Sequence, residues 1–148
     1  MIIVIQWAAS KRSSAGHLVS SRGNPVLFVA DPQAAPADST VEYARPDDLC
    51  ENGMSWRDVL LKYNQGPQHN PLGPYPAYQL YEKRTYGHLV DRLGPQNVYI
   101  LSAGWGLISA GFLTPYYDIT YSQSADRYKR RRKADQYNDF RMLPNRTV

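Results

Sequence analysis

The sequence predicts an α/β fold, a single three-layer domain over residues 1–148 with a mostly parallel central sheet, and three observations carry that expectation. Short, almost wholly apolar runs recur at Ile2 to Trp7, Pro25 to Ala30 and Val98 to Leu101, the pattern of buried strands. Between them, apolar residues recur at helical spacing, at Trp56, Val59, Leu60 and Tyr63 and again between Pro76 and Leu93. Each strand run also ends abruptly, at small residues from Ala8, at Asp31 and Pro32, and at Gly104 and Gly106.

Ile2 to Trp7 is apolar on successive positions, so it is expected to be covered on both faces in the middle of a parallel sheet. The segment after it, residues 8–16, is small and hydroxyl-rich and carries Lys11 and Arg12. Ligands of open α/β sheets bind at the carboxyl ends of strands, so this loop and the loop after Ala103 are expected to line one crevice. There Ser10, Lys11 and backbone amides would grip a phosphate. The glycine spacing of a dinucleotide fingerprint or a P-loop is absent, and taken by itself the loop reads as a solvated one more than a functional one.

Pro25 to Ala30 is the second strand, and residues 32–54 form a long irregular connection. Asp31 at the strand end is a second-choice catalytic acid, or simply a turn residue before proline. Ser55 caps a helix whose Trp56, Val59, Leu60 and Tyr63 form a core stripe, with Asp58 near the positive end of its dipole. A loop over residues 64–75 carries His69 and Asn70. A helix from Pro76 to Leu93 follows, stopped by Gly94 and Pro95, and His88 on it reads as a packed or surface residue.

Val98 to Leu101 then leads into Ser102, Gly104, Trp105 and Gly106. Two glycines around a tryptophan allow close approach to a ligand while a flat ring is presented; the same residues also suit a turn with Trp105 in the core. Pro115, Tyr116, Tyr117 and Asp118 add two phenols and a carboxylate. Ile119 to Tyr121 reads as a short strand, and a last helix is expected at about 124–140, with Ser124 as its cap.

Charge is unevenly spread. Residues 1–118 hold nine Lys/Arg against ten Asp/Glu, while residues 119–148 hold eight against three. Arg127, Lys129, Arg130, Arg131, Arg132 and Lys133 place six cations in seven positions, with Tyr128 among them. Such a density repels itself unless a polyanion is near, and the interleaved rings suit base stacking, so nucleic acid is the expected partner, with Arg12 contributing. Cations and rings do not distinguish the sugars, so RNA fits as well as DNA, and single strands as well as double.

Composition excludes several classes. The lone Cys50 forbids an internal disulfide and a cysteine-built zinc site, and His17, His69 and His88 lack metal-ligand spacing, so neither metal nor cofactor is expected. No run approaches a membrane span, and the apolar start is too short for a signal peptide, so a cytoplasmic monomer without a membrane partner is expected.

At Trp7, Ser10 and Lys11, Leu101 to Leu107, and Pro115 to Asp118, the chain resembles the YaaA-like superfamily, over roughly a third of its length. Trp7 stands where relatives commonly have a cysteine or small residue, and Tyr117 lengthens the last motif. The resemblance implies a Rossmann-like, uracil-DNA-glycosylase-like sheet and a DNA-binding role, as in the peroxide-stress members. It also implies kinship to a domain of archaeosine synthase and to a phage-defence glycosylase that removes a modified base from viral DNA. On that reading a flipped base would stack on Trp105, Tyr116 or Tyr117 beside Ser102, Gly104 and Gly106. Asp118 would stabilise the cationic sugar and orient water. The alternatives are a DNA-binding stress protein without catalysis and an enzyme on free nucleotides.

Overall fold

The apolar runs become strands and pair mostly in parallel in the computed structural model, which describes residues 1–7, 10–66 and 69–144. Strands β1 (Ile3–Gln6), β2 (Val26–Val29) and β3 (Glu42–Ala44) precede helix α1 (Trp56–Gln65). Strand β4 (Tyr75–Pro76) runs into the short helix α2 (Ala77–Leu80), followed by helix α3 (Arg84–Leu93). Strands β5 (Val98–Ser102), β6 (Gly106–Ser109), β7 (Leu113–Thr114), β8 (Tyr117–Asp118) and β9 (Phe140–Arg141) complete the order. The chain is therefore mixed α/β with few helices.

Hydrogen bonding divides the strands among three sheets: a four-stranded β1-β5-β6-β9, a three-stranded β3-β2-β8, and the pair β4-β7. In the first, β5 pairs in parallel with β1 and antiparallel with β6. In the second, β2 pairs in parallel with both neighbours, Val29 opposite Asp118. The first strand differs from expectation. β1 is an edge strand whose Ile3 and Ile5 turn inward while Val4 stays 50% exposed, so its apolar run is covered on one face. The doubly buried strand is β2, where Val26, Phe28 and Val29 are all buried.

Helix α1 starts where the sequence places it. The Asp58 N–H donates to Ser55 Oγ at 3.1 Å, and Leu60 points into the core. The expected helix from Pro76 to Leu93 is instead broken at Tyr81 to Lys83, because the backbone there pairs with the loop after β1: Tyr81 bridges Lys11, and the Glu82 N–H donates to the Ser10 carbonyl. Gly94 ends α3 at φ +83°, a left-handed conformation that glycine adopts without strain.

The helix expected at about 124–140 is absent. Residues 127–129 make one 3-10 turn, and the backbone then runs extended beside Thr120, whose N–H donates to the Lys129 carbonyl and whose carbonyl accepts from Arg131. A helix would have stacked six like charges on adjacent turns; the extended path lets successive side chains diverge. Likewise the short strand of this region is β8, one step earlier than Ile119 to Tyr121.

One core cluster joins these elements through Phe28, Leu60, Tyr81, Tyr86, Ile100, Trp105, Ile108 and Tyr117. Trp105 packs edge-on against Phe28 at 4.9 Å and Tyr117 at 6.5 Å between ring centroids. No helix among the described residues is long and apolar enough to cross a membrane.

Candidate functional site

The carboxyl end of β8 is where the chain's chemistry gathers. Alternation along the strand turns Tyr117 and Ile119 into the core and leaves Asp118 half-buried on the other side. Three segments converge on that carboxylate.

The first is the loop after β1. Its backbone is fixed by the pairing with Tyr81 and by an Arg12 N–H bond to the Leu80 carbonyl at 2.8 Å, which aims Lys11 inward. Lys11 Nζ lies 4.7 Å from the Tyr117 ring centroid and 6.0 Å from that of Tyr116. Burial lowers the Lys11 pKa; the nearby Asp118 charge opposes that shift and Lys129 adds to it. Ser10 beside it is exposed, while Arg12 turns away to bond the Gln79 carbonyl at 2.8 Å. Ala8 and Ala9 of the same loop lie outside the described residues.

The second segment is the basic run. The Tyr128 carbonyl accepts from the N–H groups of Ala30 and Asp31 at the end of β2, which holds residues 127–131 over the carboxyl ends of β2 and β8. Lys129 Nζ comes to 3.6 Å from Asp118 Oδ2. Burial works against the Lys129 charge, yet Asp118 and Tyr128 outweigh it and raise the Lys129 pKa. The third segment is Tyr116, whose N–H donates to the Gly16 carbonyl at 3.2 Å and whose ring is half-exposed. Burial, then Asp118, raises its pKa. Lys11, Tyr116, Asp118 and Lys129 thus form one group.

The loop after Ala103 does not face this group as a crevice. Ser102, Gly104, Trp105 and Gly106 are all buried, and the turn they form is closed from behind by Arg57, which donates to the Trp105 carbonyl at 2.8 Å and the Gly104 carbonyl at 3.4 Å. Arg131 closes it from the other side through the Ala103 carbonyl at 3.0 Å. Trp105 therefore offers no ring face to a base, and the glycines serve packing. A Cβ on Gly106 would meet Asp139 Cβ at 2.5 Å, and one on Gly104 the Tyr117 ring at 3.0 Å. Tyr117 is also enclosed. Its hydroxyl joins Tyr81 at 2.6 Å and Ser102 at 2.8 Å, and burial, against those bonds, pushes its pKa up to about 12. Of the three rings read as stacking platforms, Tyr116 alone keeps an open side.

The cations read as a nucleic-acid surface are likewise divided. Arg131 is turned inward, stacked on Tyr137 at 3.8 Å and paired with Asp139, and Arg132 pairs with Asp135 at 3.0 Å. Arg127 lies 3.6 Å from Asp31, which takes the second-choice acid into an ion pair. Lys133 is exposed, and Arg130 is half-buried.

Arg57 was invisible as a buried group in the sequence, although a signal existed: at positions 57, 60 and 64 the helix puts Arg57 on the face of Leu60. Its partner Asp47, bonded at 2.7 Å from Nε, comes from the connection read as irregular. Tyr81 gave no such signal, since its role depends on the broken helix. A hollow of about 650 Å³ lies between β3 and the turn around Cys50 and shares no residue with the Asp118 group. Among the described residues no three His, Cys, Asp or Glu side chains gather as metal ligands do. No protein-family model matches the chain, and no curated protein or solved structure does either.

Proposed function

We propose that the protein acts on DNA, hydrolysing the bond between a base, modified as in phage DNA, and its sugar to leave an abasic site. The observation that carries the proposal is the convergence of Lys11, Tyr116, Asp118 and Lys129 at the carboxyl ends of β2 and β8. A flipped base needs a ring to stack on, and Tyr116 supplies one. Loss of the base leaves positive charge on the sugar, and Asp118 lies where a carboxylate stabilises it and orients the attacking water. Lys129 holds that carboxylate in place, and Lys11 with Ser10 takes the flanking phosphate.

A three-layer, Rossmann-like single domain and kinship to the YaaA-like superfamily belong to the same proposal. Their support is the parallel pairing of β2 with β3 and β8 and the Ser102–Tyr117 hydrogen bond that ties the two family-like motifs together.

The test is incubation with normal and base-modified DNA, then mild alkali to cut abasic sites and mass spectrometry of the small molecules released. The expected result is one free base with matching strand breaks. Asp118→Asn is expected to keep DNA binding and slow release about a hundredfold, the scale of a lost catalytic acid or base. A second reading, DNA binding without catalysis, is favoured by one observation: Lys129 already pairs with Asp118 as it would in a purely structural contact. It predicts no base released from any DNA, with affinity falling steeply as salt rises.

A further inference from the structure

Four of the six cations between residues 127 and 133 face a carboxylate of the chain itself, Arg127 with Asp31, Lys129 with Asp118, Arg131 with Asp139 and Arg132 with Asp135. Arg130 differs. It is half-buried, and among the described residues no carboxylate pairs with it. A charge withdrawn from water without a counterion is costly, so its surroundings mark a place for an anion.

Those surroundings are a hollow of about 170 Å³ lined by Asp31, Gln123, Arg127, Arg130 and Arg132. Its walls are set by backbone: the Ala30 and Asp31 N–H groups hold the Tyr128 carbonyl, and Arg130 bridges Thr120. Three guanidinium groups line it, but Arg127 pairs with Asp31 and Arg132 with Asp135, which leaves the one uncompensated charge of Arg130. The volume falls well short of the roughly 300 Å³ at which pockets begin to take drug-sized molecules. It suits a single compact polyanionic group, with whatever carries that group left outside.

We infer that this hollow binds a terminal phosphate monoester. A terminal monoester presents three free oxygens, which Arg130, the remaining guanidinium N–H groups of Arg127 and Arg132 and the Gln123 amide can meet. A bridging phosphodiester brings only two free oxygens and continues on both sides, which leaves a donor unanswered and suits so small a hollow less well. Because Val29 lies opposite Asp118, the hollow adjoins the Lys11–Asp118 group across two neighbouring strand ends. A phosphate held there would fix the end of its nucleotide beside that group.

The inference does not depend on base release, and its test does not read it. Melting temperature is measured with inorganic phosphate added, and affinity is measured for one oligonucleotide carrying a 5′-phosphate, a 3′-phosphate or hydroxyls at both ends. Inorganic phosphate should raise the melting temperature, and one phosphorylated end should bind about tenfold more tightly than the hydroxyl form, the scale of one charge-assisted hydrogen bond. Arg130→Gln should abolish both effects, and so should Arg127→Gln, whose side chain is 72% exposed. Arg22→Gln, an equal loss of charge on an exposed turn, should keep both. A nucleoside monophosphate competing as well as the phosphorylated strand would make the natural ligand a free nucleotide; a much weaker one would make it a nucleic-acid end, and either supports the pocket. Equal affinity for all three strands with no response to phosphate would overturn it, as would a preference that survives both substitutions.

Discussion

Trp105 is the residue whose meaning changed most between sequence and structure. A tryptophan between two glycines reads both as a platform for a base and as a core residue in a turn, and the sequence holds nothing that separates them. The separating fact is Arg57, from 48 positions earlier, which caps the turn's carbonyls and lies 5.5 Å from the indole centroid. Burial makes the ring a packing element, and its Nε1 has no hydrogen-bond partner among the described residues. Trp105→Phe should therefore lower the melting temperature through lost volume, offset by removal of an unsatisfied donor, while Trp105→Ala should cost about 3–5 kcal/mol. Neither loss is specific to the ligand: DNA affinity of the folded Trp105→Phe protein should equal that of the parent in a gel-shift titration. Asp118 and Lys11 are singled out at this scale, as a carboxylate beside two phenols and a lysine in a small, hydroxyl-rich loop, and the fold brings the two near each other.

At the scale of elements, local signals succeeded wherever the backbone partner was local. Ser55 capping α1 and Gly94 ending α3 each act within four residues, and both are where the sequence puts them. The failures share one cause, a partner far along the chain. The break between α2 and α3 is made by Ser10 and Lys11, and the extended course of residues 129–131 is made by Thr120. The hairpin of β5 and β6 depends on such a distant neighbour as well. Gly106 has φ +91° and lies against Asp139 and Phe140, so Gly106→Ala adds both backbone strain and a collision with β9. It should cost on the order of 2–4 kcal/mol in urea unfolding and loosen the β6–β9 pairing first, readable as lost amide protection at Phe140. A Gly106→Ala protein as stable as the parent would mean β9 is not docked there.

For the molecule as a whole, the sequence gives the excess of positive charge after residue 118 but not its internal neutralisation, since Asp31 and Asp118 reach Arg127 and Lys129 from distant strand ends, as Asp47 reaches Arg57 elsewhere. That cross-linking makes stability depend on acid. Burial would raise the Asp47 pKa, but Arg57 and the Asn138 N–H outweigh it and hold it below the ordinary value. Burial would raise the Asp135 pKa too, but the Arg132 N–H and guanidinium, with Arg45, together outweigh it and hold it low. A carboxylate whose folded pKa is depressed contributes stability above its unfolded value, near ~4, and loses that contribution as pH falls through the folded value. The urea midpoint should accordingly be flat from pH 7 to about 5 and drop below pH ~4. Asp47→Asn should lower the midpoint at pH 7 by leaving the buried Arg57 with Asp139, at 4.0 Å, as its remaining carboxylate, a loss of up to about 3 kcal/mol, and should flatten the acid limb. A limb unchanged by that substitution would place the acid-sensitive group elsewhere.

The hold of the Tyr128 carbonyl on Ala30 and Asp31 also sets an order of events during synthesis. Strands β1 to β8 are synthesised before residues 127–131, so the end of β2 and Asp118 are made before the segment that holds them. Contacts across so many intervening residues are the slow ones to close. Closure of the site therefore waits on the docking of the basic run, and a base-removing activity housed at this end of the sheet would stay silent until residues 127–131 had settled against β2.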